Sequence, residues 1–175
     1  MPGRNPSGVL IPIYVEEGRY ILVLTRRSQL VRYHKGEISF PGGGYHPSDG
    51  SLRQTALRES FEEIGLDPGK VDILGELDDI ATMSSGFIIT PFVGLIPAEY
   101  PFKISEFEID ELIHVPLDAL LAEGCCQPFP PIILDGNPVR QCIFTYQGKQ
   151  VIGATARVLQ QFLGIYSQAA ASMGQ

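Results

Sequence analysis

Between Ser51 and Ile64, apolar side chains at Leu52, Ala56, Leu57, Phe61 and Ile64 recur at intervals of three and four, the period of a helix with one buried face. Gly65 follows as a stop signal, while Pro41-Gly42-Gly43-Gly44 and the stretch Pro47 to Gly50 precede the helix as an extended glycine-rich loop. Such a helix must cover something apolar, and the flanking segments offer strands. Gly8–Tyr14 and Tyr20–Thr25 are Val/Ile/Leu/Tyr-rich runs around Glu16-Glu17-Gly18-Arg19, the pattern of a hairpin. Val71–Leu77, Ala81–Met83 and Phe87–Ile96 read as further strands, Glu106–His114 as a strand or short turn, and Leu117–Glu123 as a helix after Pro116. Arg26–Glu37 reads as polar and irregular, and Cys125–Pro138 as a polar, proline-rich passage. A second hairpin, Cys142–Tyr146 with Lys149–Ile152, and a last helix over Gly153–Ser167 complete the chain. With 175 residues, no internal repeat and no linker, one domain over residues 1–175 is expected. The expected class is mixed α/β, a mixed sheet with helices on its faces.

The helix carries more than its apolar face. Glu59, Glu62 and Glu63 stand at i, i+3 and i+4 and share one side of it. Three carboxylates held that close repel one another, and they lie in the C-terminal half, where the helix dipole also disfavours negative charge. A solvated acidic face is the plain explanation, but a divalent cation with a preference for oxygen ligands removes both penalties, and Mg²⁺ or Mn²⁺ fits that description. Arg58, four residues before Glu62, can hold that carboxylate in place. The glycine loop adds exposed backbone groups beside such a metal and phosphate site.

The formal net charge is −7, unevenly spread. Residues 1–35 hold six basic side chains against two acidic ones, and residues 36–79 hold three basic against ten acidic. The overall field repels nucleic acid and anionic membranes, so neither is an expected partner, whereas an anionic small molecule can be received by a metal or a local basic patch. Three cysteines form no paired framework, the vicinal Cys125-Cys126 is not spaced for zinc, and the chain starts without the charged and apolar run of a signal peptide. A reducing, cytoplasmic location is expected.

Arg58-Glu59-x-x-Glu62-Glu63-x-Gly65-Leu66 is similar to the second half of the Nudix box, G-x5-E-x7-R-E-U-x-E-E-x-G-U with U aliphatic. The first half departs by one residue: the box glutamate falls on Gly50, with an acid one position earlier at Asp49, and Ser60 stands at an aliphatic position. Upstream, Val23-Leu24-Thr25-Arg26-Arg27-Ser28, Arg32, Gly36 and Phe40-Pro41-Gly42-Gly43 resemble L-L-T-x-R-S-x3-R-x3-G-x3-F-P-G-G, the signature of the coenzyme A pyrophosphatase branch of Nudix hydrolases. His46-Pro47-Ser48-Asp49 stands where that branch has D-P-x-D, and Val151-Ile152 where it tends to have Ile-Trp. The similarity runs over about residues 8–165.

That resemblance implies a Nudix-type α/β/α sandwich and a Mg²⁺- or Mn²⁺-dependent hydrolase of a nucleoside diphosphate derivative, with coenzyme A giving 3′,5′-ADP and 4′-phosphopantetheine. It implies metal ligands at Glu59, Glu62 and Glu63, with Arg58 and Glu108 in the catalytic set. The general base stays open among Glu62, Glu59 and a later carboxylate such as Glu108. For substrate binding it implies Gly42 and Gly43 and the guanidinium groups of Arg26, Arg27 and Arg32, the alternative being that one or two of these arginines pair with acids such as Glu37. His34, His46 and His114 share no metal spacing. ADP-ribose, NADH or a dinucleoside polyphosphate is the rival substrate, a non-catalytic nucleotide-binding module is the rival of another class, and small domains of the family often form homodimers.

Overall fold

The computed structural model describes residues 3–83 and 85–173. Strands β1 (Asn5–Glu16) and β2 (Arg19–Arg27) form the expected hairpin. Short strands β3 (Ile38–Ser39) and β4 (Gly42–Gly44) follow, then helix α1 (Leu52–Ile64), strands β5 (Asp72–Glu76), β6 (Ile80–Ala81), β7 (Phe87–Leu95) and β8 (Ile109–Pro116), and helix α2 (Leu117–Leu121). The chain ends with β9 (Cys126–Leu134), β10 (Asn137–Tyr146), β11 (Lys149–Val151) and helix α3 (Gly153–Met173). The main sheet runs β3-β2-β1-β7-β5, with β4 added to β1, β6 to β7 and β8 to β2. β1 and β7 are parallel and the other pairs antiparallel, so the sheet is mixed as expected.

β1 explains the layering. Residues Ser7 to Tyr14 are buried without a break, the mark of a central strand covered on both faces. Val9, Ile11 and Ile13 point to one side, where Leu117 and Leu120 of α2 and Val158, Leu159, Phe162 and Leu163 of α3 pack with Phe144 and Val151 of the small β9–β10–β11 sheet. Leu10 and Tyr14 point to the other side, onto Ala56 and Ile64 of α1 and Leu66 after it. Sheet between helices is therefore the observed arrangement. Among the described residues no helix is long and apolar enough to cross a membrane.

Three expectations are corrected. Phe61 is exposed, while Ser60 and Glu63 take buried places on α1; the Ser60 hydroxyl is satisfied by donating to the Ala56 carbonyl at 2.7 Å. Cys125–Pro138 is largely a strand: β9 pairs with β10 on one side only, so Pro128, Pro130 and Pro131 are tolerated on an edge, and the exposed strand shows no apolar alternation to read. α3 extends beyond Ser167 through a run of exposed, helix-favouring alanines.

Candidate active site

The caps of α1 set where its carboxylates lie. Ser51 accepts from the Gln54 amide at 3.2 Å at the start, and Gly65, at φ 68°, turns the chain so that its amide and that of Leu66 return to the Phe61 and Ser60 carbonyls. Beyond the turn, the Lys103 and Ser105 amides donate to the Ile64 and Glu63 carbonyls at 3.0 and 2.8 Å, and the Ser28 amide donates to the Glu108 carbonyl at 2.8 Å. The segment bearing Glu108 is thus pinned to both α1 and the end of β2.

Glu63 faces inward with only 3% of its side chain exposed. One oxygen accepts from the Gly42 amide at 3.2 Å and the other lies 3.5 Å from the Arg27 guanidinium. Burial pushes its carboxyl up to about 8; Gly42 and Arg27 pull against this, and the charges of Glu59 and Glu108 reinforce it. Glu59 is raised for the same reasons: burial first, opposed by Arg58 and aided by Glu62 and Glu108. The structure therefore brings Glu59, Glu63 and Glu108 into one electrostatic neighbourhood.

Arg58 is the hub of the other side of the site. Its guanidinium donates to both oxygens of Asp49 at 2.7 and 3.0 Å, to Glu59 at 2.8 Å, to Glu62 at 3.0 Å and to the Gly44 carbonyl at 3.3 Å. The expected Arg58–Glu62 pair is present, but Asp49 is the stronger partner. Its side chain is 3% exposed and also accepts from the Thr55 hydroxyl at 2.8 Å and the His46 amide at 3.0 Å. The Arg58 fork leads the causes that hold the Asp49 carboxyl well below the usual range. Sequence reasoning left Asp49 out of the site; the signal was the acid one place before Gly50, which keeps its reach to Arg58 despite the shift in register.

Gly42–Gly44 is not an open loop but pairs with Ser7–Val9 of β1. A Cβ on Gly43 would sit 2.5–2.7 Å from the Glu59 carboxyl atoms, so the missing side chain leaves the room this carboxylate occupies. Beyond this strand opens a cleft of about 410 Å³, lined by Arg27, Gly42 and Gly43 on one side and by Phe87, Ile152 and the start of α3 on the other. Of the three signature arginines only Arg27 reaches it. Arg26 points the opposite way along β2 and pairs with Glu111 at 3.0 Å, and Arg32 lies 5.1 Å over the Tyr33 ring. The acid that takes Arg26 is thus Glu111, not Glu37.

Among the described residues no three His, Cys, Asp or Glu side chains converge as a ready-made metal cage, since Arg58 holds Glu59 and Glu62. The donor chemistry nonetheless fits a divalent cation. Glu59 and Glu63 are carboxylates whose ionised forms are penalised by burial and by each other, and hard oxygen donors in that condition are what Mg²⁺ or Mn²⁺ relieves. Glu62, half exposed, is the third donor within the same turn.

Residues 4–125 match the NUDIX domain. The chain is 38% identical over 160 residues to a Nudix hydrolase NudL of Pectobacterium atrosepticum, described as uncharacterized, covering 90% of this chain and 81% of the relative. In fold it is similar to a C. elegans Ap4A hydrolase, with a TM-score of 0.55 at 17% identity over 67% of this chain and 84% of that one. It is likewise similar to the NUDIX domain of Shewanella oneidensis NrtR complexed with ADP ribose, with a TM-score of 0.52 at 19% identity over 69% and 78%. The paired sheet and helix, the Arg58 hub and these matches converge on one conclusion: the chain belongs to the Nudix family and is a Nudix hydrolase.

Proposed function

We propose that this chain hydrolyses the diphosphate of coenzyme A or its esters, releasing 3′,5′-ADP and 4′-phosphopantetheine, in the cytoplasm. The observation that supports this reading is the ion pair between Arg27, from the upstream signature, and Glu63, from the carboxylate helix. That pair ties the segment resembling a coenzyme A signature, whose Arg27 lines the cleft, to the segment resembling a Nudix box.

Mg²⁺ or Mn²⁺, held by Glu59, Glu62 and Glu63, would neutralise charge on the diphosphate and lower the pKa of the attacking water. The chain supplies the rest. Water adds to one phosphorus, the bridging P–O bond breaks, and the departing phosphate keeps the bond pair. The water's proton goes to a carboxylate of the set Glu59, Glu62 and Glu108. Arg58 fixes Glu59 and Glu62 against Asp49, so the ligand face is positioned before substrate arrives. Arg27 presents its remaining donors to the phosphates entering beside Glu63.

A second substrate class has one observation in its favour. Ile152 lines the cleft, 48% exposed, at the position where the signature branch tends to carry Trp, so the surface offered to a base differs there. ADP-ribose, NADH and diadenosine polyphosphates are therefore included in the test. The purified protein is incubated with each of these and with coenzyme A, with Mg²⁺, Mn²⁺ or chelator, and products are identified by mass. Fastest metal-dependent release of 3′,5′-ADP from coenzyme A supports the proposal. Faster cleavage of another substrate overturns the coenzyme A specificity, and absence of turnover on all of them favours a nucleotide-binding module.

A further inference from the structure

His34 belongs to a segment that sequence reading treats as irregular, yet it lines the same cleft as Arg27, Gly42 and Gly43. Backbone hydrogen bonds hold the segment in place. The Arg27 amide donates to the Glu37 carbonyl at 2.9 Å and the Gly36 amide to the Arg27 carbonyl at 3.0 Å, which closes residues 28–36 into a loop on Arg27. Inside that loop the Glu37 amide donates to the His34 carbonyl at 3.2 Å, and His34 takes φ 58°, a left-handed conformation uncommon for a residue with a side chain. Its Nδ1 lies 3.0 Å from a Glu37 carboxylate oxygen, and Glu37 lines the cleft as well.

An imidazole whose Nδ1–H is given to a carboxylate is fixed in orientation, and with a phosphate oxygen at Nε2 a doubly protonated ring would bridge two anions. Among the described residues Nε2 has no hydrogen-bond partner. It is the remaining polar atom of a ring that lines the cleft together with Arg27, whose guanidinium in turn lies 3.5 Å from Glu63. A bare Glu37 carboxylate at the wall of a cleft that receives phosphates would repel them; a doubly protonated His34 ring would offset that charge and present a donor in its place.

We propose that His34, oriented by Glu37, is a substrate-binding residue whose doubly protonated ring donates Nδ1–H to Glu37 and Nε2–H to a non-reacting phosphate oxygen of the bound nucleotide. The inference rests on the Nudix cleft being the substrate site but not on coenzyme A being the substrate, because every candidate carries a diphosphate or polyphosphate. A charge-assisted hydrogen bond made equally in the ground and transition states shows in KM and not in kcat, by roughly 10- to 100-fold.

The test compares wild type with His34→Ala and His34→Gln, the glutamine amide reaching about as far as Nε2. Kinetics are measured on whichever of coenzyme A, ADP-ribose, NADH or diadenosine polyphosphate the wild type cleaves fastest. Independently, the Kd of adenosine 3′,5′-bisphosphate is measured by calorimetry in Mg²⁺. The expected result is KM and Kd raised at least about 10-fold in His34→Ala, with kcat within about twofold and His34→Gln in between. A fall in kcat at unchanged KM, or unchanged KM and Kd in a folded variant, overturns the proposal. If coenzyme A is not cleaved but another substrate shows the KM effect, only the coenzyme A reading falls. If nothing is cleaved, the bisphosphate Kd decides the role of His34 alone.

Discussion

Glu63→Gln separates the chemistry of the site from the stability of the fold, because the two move in opposite directions. The carboxyl is pushed up to about 8 from a model-peptide value of 4.5. A group that holds its proton more tightly in the folded state contributes stability below its unfolded value, and that contribution is lost as pH rises through the folded one. At about 1.4 kcal/mol per unit, the metal-free wild type carries a penalty on the order of 4 kcal/mol at pH 8 that is mostly absent at pH 5. The glutamine amide has the same shape and no charge. Its NH₂ must face either the Gly42 amide or Arg27, which returns about 1 kcal/mol of that gain. The net expectation is a metal-free variant about 3 kcal/mol more stable than wild type at pH 8, or roughly 6–12 °C in Tm for a chain of this length.

The assay is thermal unfolding in chelator from pH 5 to 8.5, read as the difference between variant and wild type. The difference matters because His114, lowered by burial, takes up a proton less readily in the fold than in the unfolded chain and so costs stability as pH falls through 6.5 in both proteins. Adding Mg²⁺ or Mn²⁺ at pH 8 is expected to raise the wild-type Tm more than the variant's, and diphosphate hydrolysis by the variant falls about 100-fold or more. Parallel pH curves for the two proteins in chelator would refute the argument, since they would mean that Glu63 ionises in the fold as it does in water.

Gly43→Ala places a Cβ 2.5 Å from the end of the flexible Glu59 side chain. The carboxylate can swing away, so stability is expected to change by less than about 1 kcal/mol, while displacing a proposed metal ligand by about an ångström is expected to lower kcat/KM on the order of 100-fold. Gly8→Ala is the opposite case, with a Cβ 2.2 Å from the backbone carbonyl of Leu52 where α1 crosses β1. Nothing flexible can yield there, and urea unfolding should show a loss of about 3 kcal/mol or more, or no soluble protein. Asp49→Ala removes the buried partner of Arg58 and should cost about 2–4 kcal/mol by the same measurement, with kcat falling as Glu59 and Glu62 lose their anchored clamp.

The parts of the fold that announced themselves were those where one physical pattern acts alone. The hairpin of β1 and β2, helix α1 with its Ser51 and Gly65 ends, and α3 all have periodicities set by burial. β9 did not, because an exposed strand paired on one side has no apolar rhythm and can hold prolines that would exclude an inner strand. The carboxylates of α1 were legible as a set, since helical spacing fixes their side, and the structure adds which of them is buried. Asp49 was not legible as the Arg58 partner, because the reach of a loop residue depends on a turn whose geometry no spacing rule gives. Arg26, Arg27 and Arg32 stand in one signature, with Arg27 and Arg32 favoured over Arg26 for phosphate contact. Strand alternation and a local ring decide between them, and only Arg27 enters the cleft.

The outer rim of the small sheet also bears on how the protein behaves at high concentration. A strand with one open side is normally an invitation for a neighbouring chain to extend the ladder, since each unpaired amide is a docking point. Along β9 the imide nitrogens of Pro128, Pro130 and Pro131 have no hydrogen to offer to a ladder on either side. Phe129 and Ile133 are exposed on this hairpin, and the same three residues that hid the strand from sequence reading make its rim a poor template for strand-to-strand growth.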